Sequence, residues 1–194
     1  MDNTKLNLLS TVSYNSRGLN SSKELYLRHL LSDCHILFLQ EHWQSETQLS
    51  DLYTISADHS AIGVSVFGNN EVLSGRPYGG CALFWRKSMS LTPVYVTTDS
   101  RRVCAIRLNG VDCNLLCLCV YMPYEKATDN LDEFSYQLSV IESILGLHSD
   151  CHVIVGGDFN VDFERDKLHT RILNDFCAKC NMSPVCRHTN YCID

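Results

Sequence analysis

Short apolar runs of strand length recur throughout this sequence, interrupted by stretches of helical periodicity, and few architectures accommodate that alternation. Leu6 to Ser13 reads as a first strand, with Leu6, Leu8, Leu9 and Val12 as its apolar positions. The loop Asn15-Ser16-Arg17-Gly18 follows, and Ser21 or Ser22 can then cap a helix running to about Leu31 with Leu27, Leu30 and Leu31 inward. His35 to Leu39 is a second strand that runs directly into Gln40-Glu41-His42-Trp43. Residues 44 to 80 show only weak alternation through Ile62, Val64 and Val66 and end in the turn-rich Gly75-Arg76-Pro77-Tyr78-Gly79-Gly80, so a loop is expected there.

Cys81 to Trp85, Val94 to Thr98, Val103 to Leu108 and Asn114 to Tyr121 read as strands. The last two are joined across Asn109-Gly110, a dipeptide suited to the positive φ of a hairpin turn. From Asp129 to Leu147 the apolar residues Leu131, Phe134, Leu138, Ile141, Ile144 and Leu145 make a helical stripe. Val153-Ile154-Val155 then reads as a buried strand, and a final helix spans about Thr170 to Cys180. Strands alternating with two or three helices, with a hairpin section between, predict an α/β sandwich and not an all-β barrel.

A chain of 194 residues fits one domain, since single domains commonly run to about 100–200 residues. With 45% hydrophobic and 20% charged residues, folding into a core is expected. The longest unbroken apolar stretch, Leu115 to Met122, is far shorter than the roughly 18–20 residues a membrane span needs. Met-Asp-Asn-Thr-Lys at the start carries no secretory pattern, so an intracellular site is the expectation. The 11 cysteines are odd in number and several lie within strand patterns such as Leu115-Leu116-Cys117-Leu118-Cys119-Val120, which reads as reduced core thiols. Cys177, Cys180, Cys186, His188 and Cys192 cluster late and raise zinc. Against it, Cys177 and Cys180 share the apolar helix face of Ile172, Leu173 and Phe176, and no second pair repeats their spacing. A formal charge of −6 disfavours holding nucleic acid by phosphate neutralisation alone, yet carboxylates gathered on a metal would make a local acidic site.

Several polar residues share one placement, at or just past the end of an apolar strand: Asn15, Glu41, Tyr121, Asp158 and Asn160. In open sheets that rim is where ligands and catalytic groups collect. Hard oxygen ligands such as Glu41 and Asp158 suit Mg²⁺ or Mn²⁺, which can polarise a phosphoryl oxygen. Asn15 and Asn160 can orient a phosphate or a water without adding charge, and Tyr121 offers a hydroxyl to a phosphate oxygen. Each also has a plainer reading. Gly156-Gly157-Asp158-Phe159-Asn160 is turn-forming, Glu41 can be a solvated strand end, Asn15 a loop residue tolerating left-handed geometry, and Tyr121 a ring packed in the core.

Taken in order, Tyr14-Asn15-Ser16-Arg17-Gly18-Leu19, Leu39-Gln40-Glu41, Gly79-Gly80 before a strand, Val120-Tyr121-Met122-Pro123 and Gly157-Asp158-Phe159-Asn160 resemble the endonuclease/exonuclease/phosphatase superfamily, with the DNase I-like fold. More narrowly the set is similar to the apurinic/apyrimidinic-type endonuclease domain of LINE-type (non-LTR) retrotransposons, as is the Gly-Arg-Pro-Tyr-Gly-Gly approach to a strand. The likeness covers nearly the whole chain.

The resemblance implies a four-layer α/β sandwich with the site at the common edge of two sheets. It implies Glu41 as a ligand of Mg²⁺ or Mn²⁺ with Asn15 beside it, Tyr121 on the scissile phosphate, and Asp158 with Asn160 positioning or activating the attacking water. The product would be a nick in DNA that primes a reverse transcriptase domain of the same polyprotein, which places the activity in the nucleus if genomic DNA is the target. Relatives also carry a late-strand Asp and a Ser-Asp-His motif nearer the C-terminus. Here Cys192-Ile193-Asp194 only faintly matches the first and His188 has no Asp before it, so residues 1–194 read as a domain incomplete at its C-terminus, with its last strands missing. The alternatives are a catalytically inactive retroelement fragment and a phosphatase acting on a lipid or inositol phosphate.

Overall fold

The structure, a computed structural model, describes residues 9–68, 78–124 and 130–185. Among these residues two four-stranded mixed sheets form, one in the order β1-β2-β4-β3 and one in the order β5-β6-β7-β8. The strands are β1 (Thr11–Asn15), β2 (Ile36–Gln40), β3 (His59–Val64), β4 (Cys81–Arg86), β5 (Thr92–Val96), β6 (Val103–Asn109), β7 (Asn114–Tyr121) and β8 (His152–Asp158). The helices are α1 (Ser21–Asp33), α2 (Leu49–Leu52), α3 (Leu131–Leu147) and α4 (Leu168–Lys179).

Period-two alternation along the central strands divides the core into three spaces, and these define four layers. From β2, β4, β6 and β7, the side chains of Ile36, Phe38, Cys81, Leu83, Trp85, Cys104, Ile106, Cys117 and Cys119 fill the space between the sheets. The intervening residues point the other way. Leu37, Leu39, Ala82 and Phe84 meet Leu27 and Leu31 of α1 and Leu52 of α2. Leu116, Leu118 and Val120 meet Phe134, Leu138 and Ile141 of α3 and Leu173 and Phe176 of α4. Fully burying each such side chain contributes about 1.5–3 kcal/mol, so the layered order is set by which strands are apolar on both faces.

Several expectations are corrected by particular contacts. The first strand is Thr11–Asn15, because its parallel register against β2 pairs Thr11 with Ile36 and Asn15 with Gln40. Of the expected Leu6 to Ser13 run, Leu6 and Leu8 lie outside the described residues. α1 is capped by Asn20, not by Ser21 or Ser22: its extended backbone lets the side-chain oxygen accept the Lys23 N–H at 3.0 Å. Leu30 is only partly buried, while Leu27 and Leu31 are buried as expected.

Within the expected loop lies β3, which pairs antiparallel with β4 from His59↔Arg86 to Val64↔Cys81. β5 starts two residues before the expected run, at Thr92 opposite Asn109. β6 and β7 do form a hairpin, but Asn109 pairs with Asn114 and Gly110 donates its N–H to the Cys113 carbonyl at 3.1 Å. The loop is therefore residues 110 to 113, and neither Asn109 nor Gly110 is left-handed.

Val153, Ile154 and Val155 are partly, not fully, buried, because β8 has a strand neighbour on one side only among the described residues. Cys177 packs against the α3/α4 core, as does Cys180, the residue that ends α4. Cys186, His188, Cys192 and Asp194 lie outside the described residues, as do Gly75, Arg76, Pro77 and Asp129. No described helix is long and apolar enough to cross a membrane.

Candidate active site

Four strand ends meet at one edge of the sandwich. β1 and β2 run parallel and finish side by side at Asn15 and Gln40, while β7 and β8 run parallel and finish at Tyr121 opposite Asp158. The two glycines before Asp158 do not turn the chain, contrary to the plainer reading. Both stay in β8, paired with Cys119 and Val120. At Gly156 a Cβ would lie 2.4 Å from the ring of Phe38 in the other sheet, and at Gly157, where φ is +152°, it would lie 2.1 Å from the Val120 carbonyl oxygen. Bare backbone at Gly156 lets the two sheets approach closely just below the site, and at Gly157 it lets β8 lie close against β7.

The Asn15 side chain joins the two halves. Its Nδ2 donates to Glu41 Oε1 at 2.8 Å and to Asp158 Oδ2 at 2.8 Å, and its oxygen accepts the Arg17 N–H at 3.0 Å. Both carboxylates are acceptors only, so the nitrogen must face them. Asn15 is the last residue of β1, and the left-handed residues in this loop are Arg17, at φ +47°, and Gly18, at φ +89°.

Glu41 lies one residue past β2 at φ +54°. Its N–H donates to the Gly80 carbonyl at 2.9 Å, and its own carbonyl accepts from Gly18 N at 2.7 Å and Ser16 Oγ at 2.9 Å. Its carboxylate is therefore held on a fixed backbone and is partly buried, unlike a solvated strand end.

Asp158 serves two purposes. Oδ1 accepts the Asn160 N–H at 3.0 Å, which is the local turn, and Oδ2 takes Asn15. Asn160, left-handed at φ +52°, commits its Nδ2 to the Met122 carbonyl at 2.8 Å. Tyr121 is half in the core and half in the site: its ring packs in the inter-sheet cluster and its hydroxyl lies within the field of the Glu41 and Asp158 carboxylates. Burial, and then the Glu41 and Asp158 charges, push its hydroxyl up to about 12, so it reaches a ligand as a neutral donor. All five residues singled out in the sequence thus converge.

Two side chains that sequence reasoning missed complete the surroundings. Trp43 donates its indole N–H to Glu41 Oε2 at 3.2 Å. Arg102 places its guanidinium 5.6 Å over the Tyr121 ring, anchored by Glu133 at 2.7 Å. His42, adjacent to Glu41, is the obvious candidate for a base but is turned away. It is fully buried, its ring contacts the Val64 carbonyl and the Gln44 N–H, and burial lowers it to about 4.

Among the described residues no three His, Cys, Asp or Glu side chains cluster as a ready metal cage. Two carboxylates beside neutral amide and hydroxyl groups nevertheless suit Mg²⁺, which keeps several waters and takes one or two protein carboxylates. The same pair would repel a phosphate anion, a charge that a cation held by Glu41 would offset.

The sequence matches the family model of the endonuclease/exonuclease/phosphatase family over residues 12–174, a span that contains all five site residues. The chain belongs to the endonuclease/exonuclease/phosphatase family. Its two-sheet sandwich is the DNase I-like fold of that family, as similar solved structures show. The endonuclease domain of TRAS1, a telomere-specific non-LTR retrotransposon, superposes with a TM-score of 0.63 at 11% identity, covering 89% of this chain and 72% of that chain. An AP endonuclease, LMAP from Leishmania major, gives 0.61 at 12%, covering 89% and 67%. NExo from Neisseria, a 3′ phosphatase bound to product DNA hairpin, gives 0.59 at 17%, covering 89% and 71%. No curated protein matches the sequence. Members of the endonuclease/exonuclease/phosphatase family hydrolyse phosphate esters and typically use divalent metals, and the donor set around Asn15 suits that chemistry.

Proposed function

We propose that this chain is a divalent-metal-dependent endonuclease domain that nicks DNA, of the kind found in LINE-type retrotransposons. The observation that carries the reading is the Asn15 amide bridging Glu41 and Asp158 at 2.8 Å each, with Tyr121 and Asn160 beside them. DNA is favoured over a lipid or inositol phosphate by the retrotransposon-like motifs and by the similar fold of a protein holding product DNA. Arg102, over the Tyr121 ring, puts a guanidinium near the site of a chain whose net charge is −6.

Glu41 would hold Mg²⁺ or Mn²⁺, which when bound polarises a phosphoryl oxygen and offsets the charge of the substrate. Tyr121 donates a hydrogen bond from its hydroxyl to a non-bridging oxygen of the scissile phosphate and orients it. Asp158 accepts the proton of the attacking water, and Asn160 holds that water through its amide oxygen. The water oxygen bonds to phosphorus as the bond to the 3′ oxygen breaks, and solvent protonates the leaving oxygen. A 3′ hydroxyl and a 5′ phosphate result. Asn15 keeps the two carboxylates apart and aimed.

In a parent polyprotein the 3′ hydroxyl would prime a reverse transcriptase domain, with nuclear action on genomic DNA. The test is conversion of supercoiled plasmid to open circle with Mg²⁺ and with EDTA. Metal-dependent nicking that falls at least about 10²-fold in Asp158→Ala is expected. No nicking, with turnover of an inositol phosphate instead, selects the phosphatase reading; no turnover of either selects the inactive fragment.

A further inference from the structure

Trp43 lies two residues beyond Glu41 in a segment built around both. Glu41 and Trp43 are left-handed, at φ +54° and +59°, a conformation that bulky residues seldom adopt and that persists only when surrounding contacts enforce it. Those contacts are present. The Glu41 N–H donates to the Gly80 carbonyl at 2.9 Å, the Trp43 N–H to the Gly79 carbonyl at 3.1 Å, and His42 is buried between them. The buried histidine anchors the segment, and the side chains on either side of it meet at the site edge, where the indole N–H donates to Glu41 Oε2 at 3.2 Å.

The opposite loop makes room for the ring. Gly18, at φ +89°, donates its N–H to the Glu41 carbonyl at 2.7 Å, and a Cβ there would lie 2.1 Å from Trp43 Cε3. Glycine is required at 18 both by its backbone and by the indole resting on it. Packing alone would be satisfied by a phenyl ring; only an indole also supplies an N–H at that edge.

The two Glu41 oxygens therefore take one neutral donor each, Asn15 on Oε1 and Trp43 on Oε2. Each oxygen keeps a further lone pair, and rotation of the carboxylate is fixed. Neutral donors do this without cancelling the negative charge that draws a cation, as a lysine at 43 would.

We propose that Trp43 is a positioning residue for divalent-cation binding: its indole N–H fixes the plane in which Glu41 meets the ion. The inference rests on Glu41 being a cation ligand, as in the function proposed above. The test uses DNA-free protein. Mn²⁺ affinity is measured by calorimetry and by the electron paramagnetic resonance of free Mn²⁺ for the wild type, Glu41→Gln and Trp43→Phe, with circular dichroism and urea midpoints reporting the fold. Trp43→Phe is expected to weaken Mn²⁺ about tenfold or more, the usual effect of removing a group that orients a metal ligand.

A second measurement keeps Trp43 in place and does not depend on the folding of that variant. In a Trp85→Phe background, which removes the other, buried tryptophan, Mg²⁺ should shift Trp43 emission with the midpoint of binding, and Glu41→Gln should abolish the shift. A Trp43→Phe affinity within twofold of wild type, or unchanged emission at saturating Mg²⁺, overturns the proposal while cation binding at Glu41 stands. Absence of Mn²⁺ binding by the wild type overturns both.

Discussion

Asn15 stands in one sheet and Asp158 in the other, so the amide is a clamp across the sandwich as well as part of a site. Replacing Asn15 with Ala removes two charge-assisted hydrogen bonds and leaves two carboxylates facing one another. Such bonds contribute roughly 1.5–3 kcal/mol each when buried, and both acceptors here are partly exposed, so the lower end applies. Two unit charges about 5 Å apart at an effective dielectric of about 20 repel by about 3 kcal/mol, which the amide now partly offsets. The expected loss for Asn15→Ala, in urea unfolding with EDTA at neutral pH, is about 3 kcal/mol or somewhat more at unchanged m-value.

Asn15→Asp should lose more, since the donor becomes a third negative charge, and excess Mg²⁺ should restore much of it by binding the folded state alone. Because the charge is shared, single variants do not isolate the contact; a cycle with Asp158→Ala does. The coupling between the two positions should reach at least about 1.5 kcal/mol. A coupling below about 0.5 kcal/mol would mean that the amide does not join the two sheets, and the geometric basis of the site would go with it.

Gly157→Ala should destabilise by at least about 2 kcal/mol, because the new Cβ meets the Val120 carbonyl and the residue must hold φ +152°; thermal unfolding reads this directly. His42 sets a pH dependence in the metal-free protein. Burial lowers its folded value to about 4 from the usual 6.5, so as pH falls below 6.5 the unfolded chain takes a proton that the buried ring refuses. Stability should fall between about pH 6.5 and 4, by on the order of 3 kcal/mol in all, and His42→Gln should flatten that slope in urea titrations across the range.

How much of this was legible in the sequence depends on where the deciding contact lies. β2, β4 and β7 were readable because their apolar character is continuous on both faces, and the layered sandwich follows from such strands. β3 was not. His59, Ser60 and Gly63 weaken its pattern, and the strand exists because β4 offers a partner along its length. The turn reading of Gly156-Gly157 was open for a related reason: Gly156 answers to a phenylalanine of the other sheet, more than a hundred positions earlier in the chain, and Gly157 to the Val120 carbonyl of the neighbouring strand.

The site divides along the same line. Asn15, Glu41, Tyr121, Asp158 and Asn160 could be singled out because each lies at or just past the end of a strand that could be read locally, and because their order resembled a family. Trp43 and Arg102 were not found, since neither ends a strand and nothing in their neighbours marks them. Trp43 reaches Glu41 only because the backbone turns left-handed at both residues, on either side of His42, held by carbonyls of Gly79 and Gly80 and cleared by Gly18. Strand periodicity reports which residues arrive at an edge. The groups that orient them there are set by backbone conformation between elements, which periodicity does not encode.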